Sequence, residues 1–214
     1  MLLHLAERLD IPLRERNVLL NAAGFARVFP ERTLEDPSLR AARRAVDLIL
    51  AGHEPYPALA VDRHWTLVAS NNAVARLLAD VAPRLLEPPI NVLRLSLHPD
   101  GLAPRIVNFV EWRSHLLARL RRQIELTADP VLSALIDELS SYPIHIDAGV
   151  PAQHHEYSEV GVPFQLALDG HTLTMFSTTM VFGTPIDITL SELAIESFFP
   201  ADAATADLLH AITK

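Results

Sequence analysis

The chain contains no cysteine, which excludes disulfides, thiolate nucleophiles and cysteine-ligated metals. Glycine is scarce, 7 residues in 214, and forms no run that could cradle a phosphate. Aromatic residues make up only 6% of the chain, and the one lysine is Lys214. No apolar run approaches the roughly 20 residues of a membrane-crossing helix. The N-terminus lacks the long apolar core of a signal peptide, so a cytoplasmic protein is the default expectation. Catalytic patterns are missing too. Ser70-Asn71 and Ser191-Glu192 match no nucleophile elbow, and no His-Glu-x-x-His helix occurs. His145, Asp147, His154, His155 and Glu156 are the nearest approach to a metal set, but adjacent residues rarely both face one ion. Neither enzyme activity nor a metal or cofactor is expected.

What is present is an ordinary globular balance, 50% apolar and 21% charged. The length suits one large domain, or one of about 150 residues with a smaller helical piece. Charge is divided unevenly. Residues 1–122 hold 17 arginines against 13 acids, a balance of +4, whereas residues 123–214 hold Lys214 against 13 acids, a balance of −12. The acidic half would repel nucleic-acid phosphate. It reads either as a solvated face or as the complement of a basic partner surface, as in a dimer.

Helical signals come first. Residues 2–9 and 12–23 predict two short helices, the second capped by Asp10 and ended by Gly24, with Leu13, Val18, Leu19 and Leu20 as its apolar stripe. Residues 36–52 predict a helix with Asp36 as cap, Pro37 in the first turn and Gly52 just past the end. Ala58 to Val61 and Thr66 to Ala69 read as a strand pair around a turn at 62–65, and Ser70 can cap a helix over 71–80. Residues 91–113 organise the middle of the chain: an inward-packing apolar piece, a turn at His98-Pro99-Asp100-Gly101, then a helix over about 105–122. Another helix is predicted over 130–141, with Asp129 as cap. Beyond residue 158 the period changes from 3.6 to 2. A strand ends at the hairpin signal Asp169-Gly170, a second covers about 172–182, and a third covers 186–198 with a bulge near Ser191-Glu192. A closing helix is predicted over 202–212. The order fits an α+β fold, a five-stranded antiparallel sheet with helices covering one face.

Several separated motifs resemble one family. Residues 57–71, Asn91 to Leu95, His98 to Leu102, Phe176 to Thr179, Phe182 to Pro185 and Ile195 to Pro200 are similar to the ligand-binding domain of MmyB-like transcription regulators. Residues 1–28 resemble the last two helices of an Xre-type helix-turn-helix domain. The resemblance implies a PAS-like ligand-binding domain over 55–214, a connector helix within 31–54 and a helix-turn-helix remnant over 1–30. It also implies transcriptional control by a small molecule, with fatty-acid-like ligands the leading suggestion. In the Xre family the DNA-reading helix comes earlier in the chain. Sequence-specific DNA binding is therefore expected only of a full-length protein, because phosphate contacts alone carry no sequence information. A homodimer is expected, and no membrane partner.

The implied cavity should be mostly apolar with a few placed polar groups. Phe109, Trp112 and Leu116 recur along one helical side and form a candidate wall. Phe176, Thr178 and Met180 share one strand parity and form a candidate facing wall. All six also read as plain core. Arg94 and Arg105 flank the central turn in apolar surroundings and are candidate anchors for a carboxylate, although surface arginine is the commoner outcome for such residues. The alternative is a PAS-like dimerisation module that holds no ligand.

Overall fold

The computed structural model describes residues 1–144 and 161–212. Helices α1 (Leu2–Arg8) and α2 (Leu13–Ala22) open the chain. Asp10 does not cap α2: it takes a left-handed φ of 49° in the turn, and Pro12 holds the capping position. Gly24 follows the helix at φ 79°, as expected. Only Leu13 and Leu20 of the expected stripe are buried, while Val18 is 62% exposed. A buried polar residue anchors the following chain. Asn17 donates to the Phe29 carbonyl at 2.7 Å and accepts from the Val28 and Phe29 amides, both at 3.1 Å.

Asp36 accepts from the Ser38 amide at 2.8 Å and starts a 3₁₀ turn that leads into α3 (Arg40–Gly52). Gly52 is the last helical residue rather than the one beyond it. The buried side of α3, Val46 and Leu50, packs with Leu39 on Ala58, Ala60 and Ile195 of the sheet. Strand β1 (Ala58–Val61) pairs antiparallel with β2 (Leu67–Ser70). In their turn the Asp62 carboxylate accepts from the amides of His64 and Thr66, both at 2.8 Å, and Trp65 sits at φ 65°. Helix α4 (Asn72–Leu77) is shorter than expected. Its first amide, that of Asn72, is held by the Glu54 carboxylate at 2.7 Å and not by Ser70.

Residues 91–97 form a helix, α5 (Val92–Leu97), because Asn91 caps it by accepting from the Leu93 and Arg94 amides. The turn follows as read, with the Gly101 amide on the His98 carbonyl at 2.8 Å. Gly101 is needed for close approach rather than for a positive φ: a Cβ there would collide with the Leu95 carbonyl oxygen. Helix α6 (Phe109–Thr127) begins later than 105, since Ala103 to Arg105 form a 3₁₀ turn and Ile106 bridges to Leu166. It continues until Ala128 takes a left-handed φ of 50°. Helix α7 (Pro130–Ser141) is capped by Asp129, which accepts from the Val131 amide at 2.8 Å.

Strands β3 (Phe164–Leu168) and β4 (His171–Val181) form the expected hairpin. Asp169 and Gly170 take φ of 49° and 77°, the doubly left-handed turn that suits strand twist. The single bulged strand expected over 186–198 is instead a helical turn, α8 (Ile188–Ser191), followed by β5 (Ala194–Pro200). Asp187 causes the break by capping the turn through the Thr189 amide at 2.9 Å. The parity change at Leu193 is therefore the end of a helical turn. Helix α9 (Ala203–Ile212) closes the chain.

The sheet order is β2-β1-β5-β4-β3, with every pairing antiparallel. This is the α+β, PAS-like arrangement read from the sequence. Helices α5, α6 and α7 cover the inner face of the sheet and share with it the main core. In addition, α3 and α8 cover β1 and β5 on the outer face, a second and smaller core. Among the described residues no helix is long and apolar enough to cross a membrane.

Candidate functional site

Strand alternation decides which side chains meet the helices. Residues i and i+2 share a face, so Met175, Ser177 and Thr179 of β4 point inward beside Glu196 and Phe198 of β5. On α6, Trp112, Leu116 and Arg119 fall on one side at i, i+4 and i+7. Between these surfaces lies a cavity of about 100 Å³. Its walls include Leu59, Trp65 and Leu67 from the first hairpin, Val92 and Leu95 from α5, and Phe164 from β3. Both tryptophans of the chain line it.

The polar groups of the wall are largely paired. The Trp112 indole donates to Ser96 Oγ at 2.9 Å. The Trp65 indole donates to Gln123 Oε1 at 2.9 Å, and Gln123 Nε2 donates to the Arg63 carbonyl at 2.7 Å. Glu196 is a carboxylate on a mostly apolar strand, its side chain only 6% exposed. Arg119 grips it with both nitrogens of its fork, Nη2 to Oε1 at 2.5 Å and Nη1 to Oε2 at 3.2 Å. Thr179 Oγ1 donates to Glu196 Oε1 at 3.0 Å and accepts from Arg119 at 2.9 Å. A buried charge is tolerable only when paired and hydrogen-bonded in this way.

Outside this ion pair the surface sinks into a second hollow of about 250 Å³, lined by His115, Arg119, Arg122, Val162, Ser177 and Thr179 among others. Arg119 and Ser177 border both spaces. The His115 ring stacks on Trp112 with centroids 5.6 Å apart. Burial holds its pKa below the ordinary histidine value, the Arg119 and Arg122 charges lower it further, and Glu196 opposes them.

The structure brings two of the sequence candidates to the cavity wall, Trp112 and Leu116. Phe109 is buried in the same core but does not border the space. Phe176, Thr178 and Met180 have the opposite parity: they pair with Phe199, Ser197 and Ile195 on the outer face. Phe176 stacks on Phe199 at 5.4 Å and touches the rim of the outer hollow, and Met180 is 49% exposed. The facing wall is Met175, Ser177 and Phe198 instead. Arg94 holds Glu138 with two bonds of 2.7 Å, and Arg105 donates to the Leu77 carbonyl and to Asp80; neither borders the cavity. The His145, Asp147, His154, His155 and Glu156 set lies outside the described residues, and no metal-binding cluster occurs among the described ones.

Sequence reasoning missed Arg119, Glu196 and Trp65. The signal for Arg119 was its spacing from Trp112 and Leu116, and for Glu196 its place between Ile195 and Phe198 on an apolar strand. Trp65 carried none, because a turn position says little about where its ring lies. No curated protein matches the chain. Residues 42–212 match the family described as the MmyB-like transcription regulator ligand binding domain. That span takes in most of α3, the whole sheet and every helix that walls the cavity, so the chain belongs to this family of ligand-binding domains.

Proposed function

We propose that this chain is the small-molecule-sensing part of an Xre-family transcription regulator, non-enzymatic and homodimeric, whose cavity takes an apolar or fatty-acid-like ligand. The observation that carries this reading is the partly open space between α6 and the sheet, apolar on most sides, with its charged groups at the Arg119–Glu196 end. Such a distribution suits a ligand held by burial and oriented by a few polar groups. A volume near 100 Å³ accommodates an apolar fragment, somewhat below the ~150 Å³ of a cavity that holds benzene. A longer ligand must displace wall side chains or extend outward. That requirement gives occupied and empty forms different structures, and a ligand shifts a conformational equilibrium only through such a difference.

The output would pass through the N-terminal helices, with α3 as connector, to the DNA-reading part of a full-length protein. Arg14 of α2 binds Glu192 at 2.6 and 2.9 Å, and Arg63 lies 3.9 Å from the same carboxylate. Arg63 belongs to the turn that carries Trp65 into the cavity. The competing reading, a PAS-like association module without ligand, is favoured by the small volume, since ligand pockets commonly span about 300–1,000 Å³. Native mass spectrometry of gently extracted protein separates the two. A co-purifying small apolar molecule is expected; an empty dimer that binds no hydrophobic probe would favour the association module.

A further inference from the structure

Strand β4 runs past its neighbour β3. The two pair from Leu168–His171 to Phe164–Met175, whereas β4 stays paired with β5 as far as Val181. Beyond Met175, among the described residues, β4 is therefore an edge strand. Thr174 shows which way its backbone groups point. The Thr174 amide donates to Thr205 Oγ1 at 3.0 Å and its carbonyl accepts from the Ala201 amide at 2.8 Å, both from residues that follow β5. Successive residues of a strand bond to opposite sides, so the amides and carbonyls of Ser177, Thr179 and Val181 face the open edge. None of these six groups is hydrogen-bonded there among the described residues. Residues 177–181 also carry no charge and no proline, the usual protections of a bare edge.

The outer hollow lies along this edge, between Phe176, Ser177 and Thr179 of β4 and His115, Arg119 and Arg122 of α6. Arg119 is committed to Glu196, but neither Arg122 nor His115 forms a hydrogen bond or ion pair among the described residues. We propose that the free edge of β4 binds an extended segment of a protein partner, added antiparallel in line with β3, in which acidic side chains alternate with apolar ones. The proposal goes beyond the ligand reading and does not depend on it. Main-chain bonds supply attachment in such strand addition, and alternate side chains supply specificity. Residues directly opposite share a face of the sheet. The guest side chains opposite Ser177 and Thr179 thus enter the hollow, where acids meet Arg122 and His115. The guest residues between them lie outward beside Thr178 and the 49% exposed Met180, where apolar groups fit. A second copy of β4 is a poorer guest, since its residues 177–181 bring no acid to the hollow.

Calorimetric titration of the full chain with the blocked peptide Val-Glu-Val-Glu-Val tests both halves of the proposal. The glutamate peptide should bind about tenfold more tightly than its glutamine counterpart, and the lysine counterpart should bind most weakly. The Arg122→Met/His115→Gln variant should bring the glutamate peptide down to the affinity of the glutamine one and leave the latter unchanged. The backbone half is read from the peptide, so the protein's folding is not at stake. In an antiparallel pair the residues opposite Ser177 and Thr179 exchange both bonds with them. N-methylation of the two glutamate amides should therefore abolish binding, and N-methylation of the valine amide between them should be tolerated. Equal affinity for the glutamate and lysine peptides would overturn the acidic specificity, and undiminished binding of the glutamate-methylated peptide would overturn strand addition. Failure of every peptide to bind would overturn the proposal outright. Hydrogen exchange of the peptide-free chain would then name the occupant: protection of Ser177, Thr179 and Val181 that falls on dilution means a second copy, and protection that does not means another part of the same chain.

Discussion

The guanidinium of Arg119 lies over the indole of Trp65, 4.6 Å from the ring centroid, while its nitrogens hold Glu196. One side chain thus joins α6, the first hairpin and β5 at the end of the cavity. The cation–aromatic contact is strengthened by partial removal from water, and the two bonds to the carboxylate hold the fork in place beside the ring. Trp65 in turn adopts its left-handed backbone in a turn bound by the Asp62 carboxylate. The shape of the cavity end therefore depends on a set of polar contacts, not on apolar packing alone.

Removing Arg119 should be far more damaging than its partly exposed position suggests. Arg119→Met leaves the Glu196 carboxylate buried with Thr179 as its one remaining hydrogen-bond partner among the described residues and abolishes the contact with Trp65. A loss of about 3 kcal/mol is expected from urea unfolding, the scale for breaking a buried pair from one side. Adding Glu196→Leu to that variant should recover a large part of it, since the uncompensated charge is then gone. A single variant within about 0.5 kcal/mol of wild type, the range of ordinary surface changes, would show that Glu196 is not held as described.

Arg94 behaves differently because its partner is half-exposed. Glu138 has its carboxyl held below the usual carboxylate range, first by the Arg94 guanidinium and further by the Tyr142 hydroxyl, with burial opposing them. Arg94→Met should cost about 1 kcal/mol or less, as a solvent-screened pair would. It should also leave the binding of decanoate, a fatty-acid probe of the cavity, unchanged, because Arg94 does not border that space. A selective loss of carboxylate affinity in this variant would return Arg94 to the role that the sequence suggested.

His115 gives the domain a pH dependence of defined sign. Its folded-state pKa lies below the unfolded value because burial comes first and the two arginines second. At pH above the ordinary histidine pKa of about 6.5 both states are neutral and its contribution is complete. As pH falls through that value the unfolded chain takes up the proton first, so stability declines until the folded-state pKa is passed. Thermal unfolding followed from pH 7.5 to 5 should show a decline that is smaller in His115→Gln than in wild type. Identical pH profiles would mean that the ring is not shielded by its surroundings.

The legible part of the fold was the part encoded locally. Asp129-Pro130 announces α7 and Asp169-Gly170 announces the hairpin, because a cap and a left-handed turn need particular residues at particular positions. The parity of β4 was not legible, since large apolar residues lie on both of its faces. Leu173 and Met175 are buried inward, while Phe176 stacks on Phe199 outward. Apolar residues thus occur on both alternations, and the larger aromatic drew the wrong one. The 186–198 segment failed for another reason: Asp187 looks like a strand residue until its carboxylate is seen to cap a helical turn. Trp112 and Leu116 could be placed by helical spacing alone. The same spacing puts Arg119 on that side, but its pairing was not legible, because its partner is 77 residues away on a strand and a lone arginine on a helix reads as solvated.

The route from cavity to N-terminal helices can be tested at its narrowest point. Arg14 is the contact through which α2 reaches both Glu31 and Glu192, with Glu192 next to α8 and within 3.9 Å of Arg63. The other strong tie of α2, Asn17 to residues 28 and 29, is local and does not reach the sheet. Arg14→Met should therefore loosen α2 on the domain without disturbing the main core. Hydrogen exchange is expected to quicken about tenfold across residues 13–22, corresponding to ~1.4 kcal/mol of local opening free energy. Residues 173–181 and 194–200, which form the central strands, should exchange as in wild type. If exchange rises in the strands as well, Arg14 supports the fold as a whole; if it rises nowhere, the Arg14–Glu192 pair does not fasten α2. Only the confined change fits a link through which occupancy of the cavity could reach the N-terminal helices.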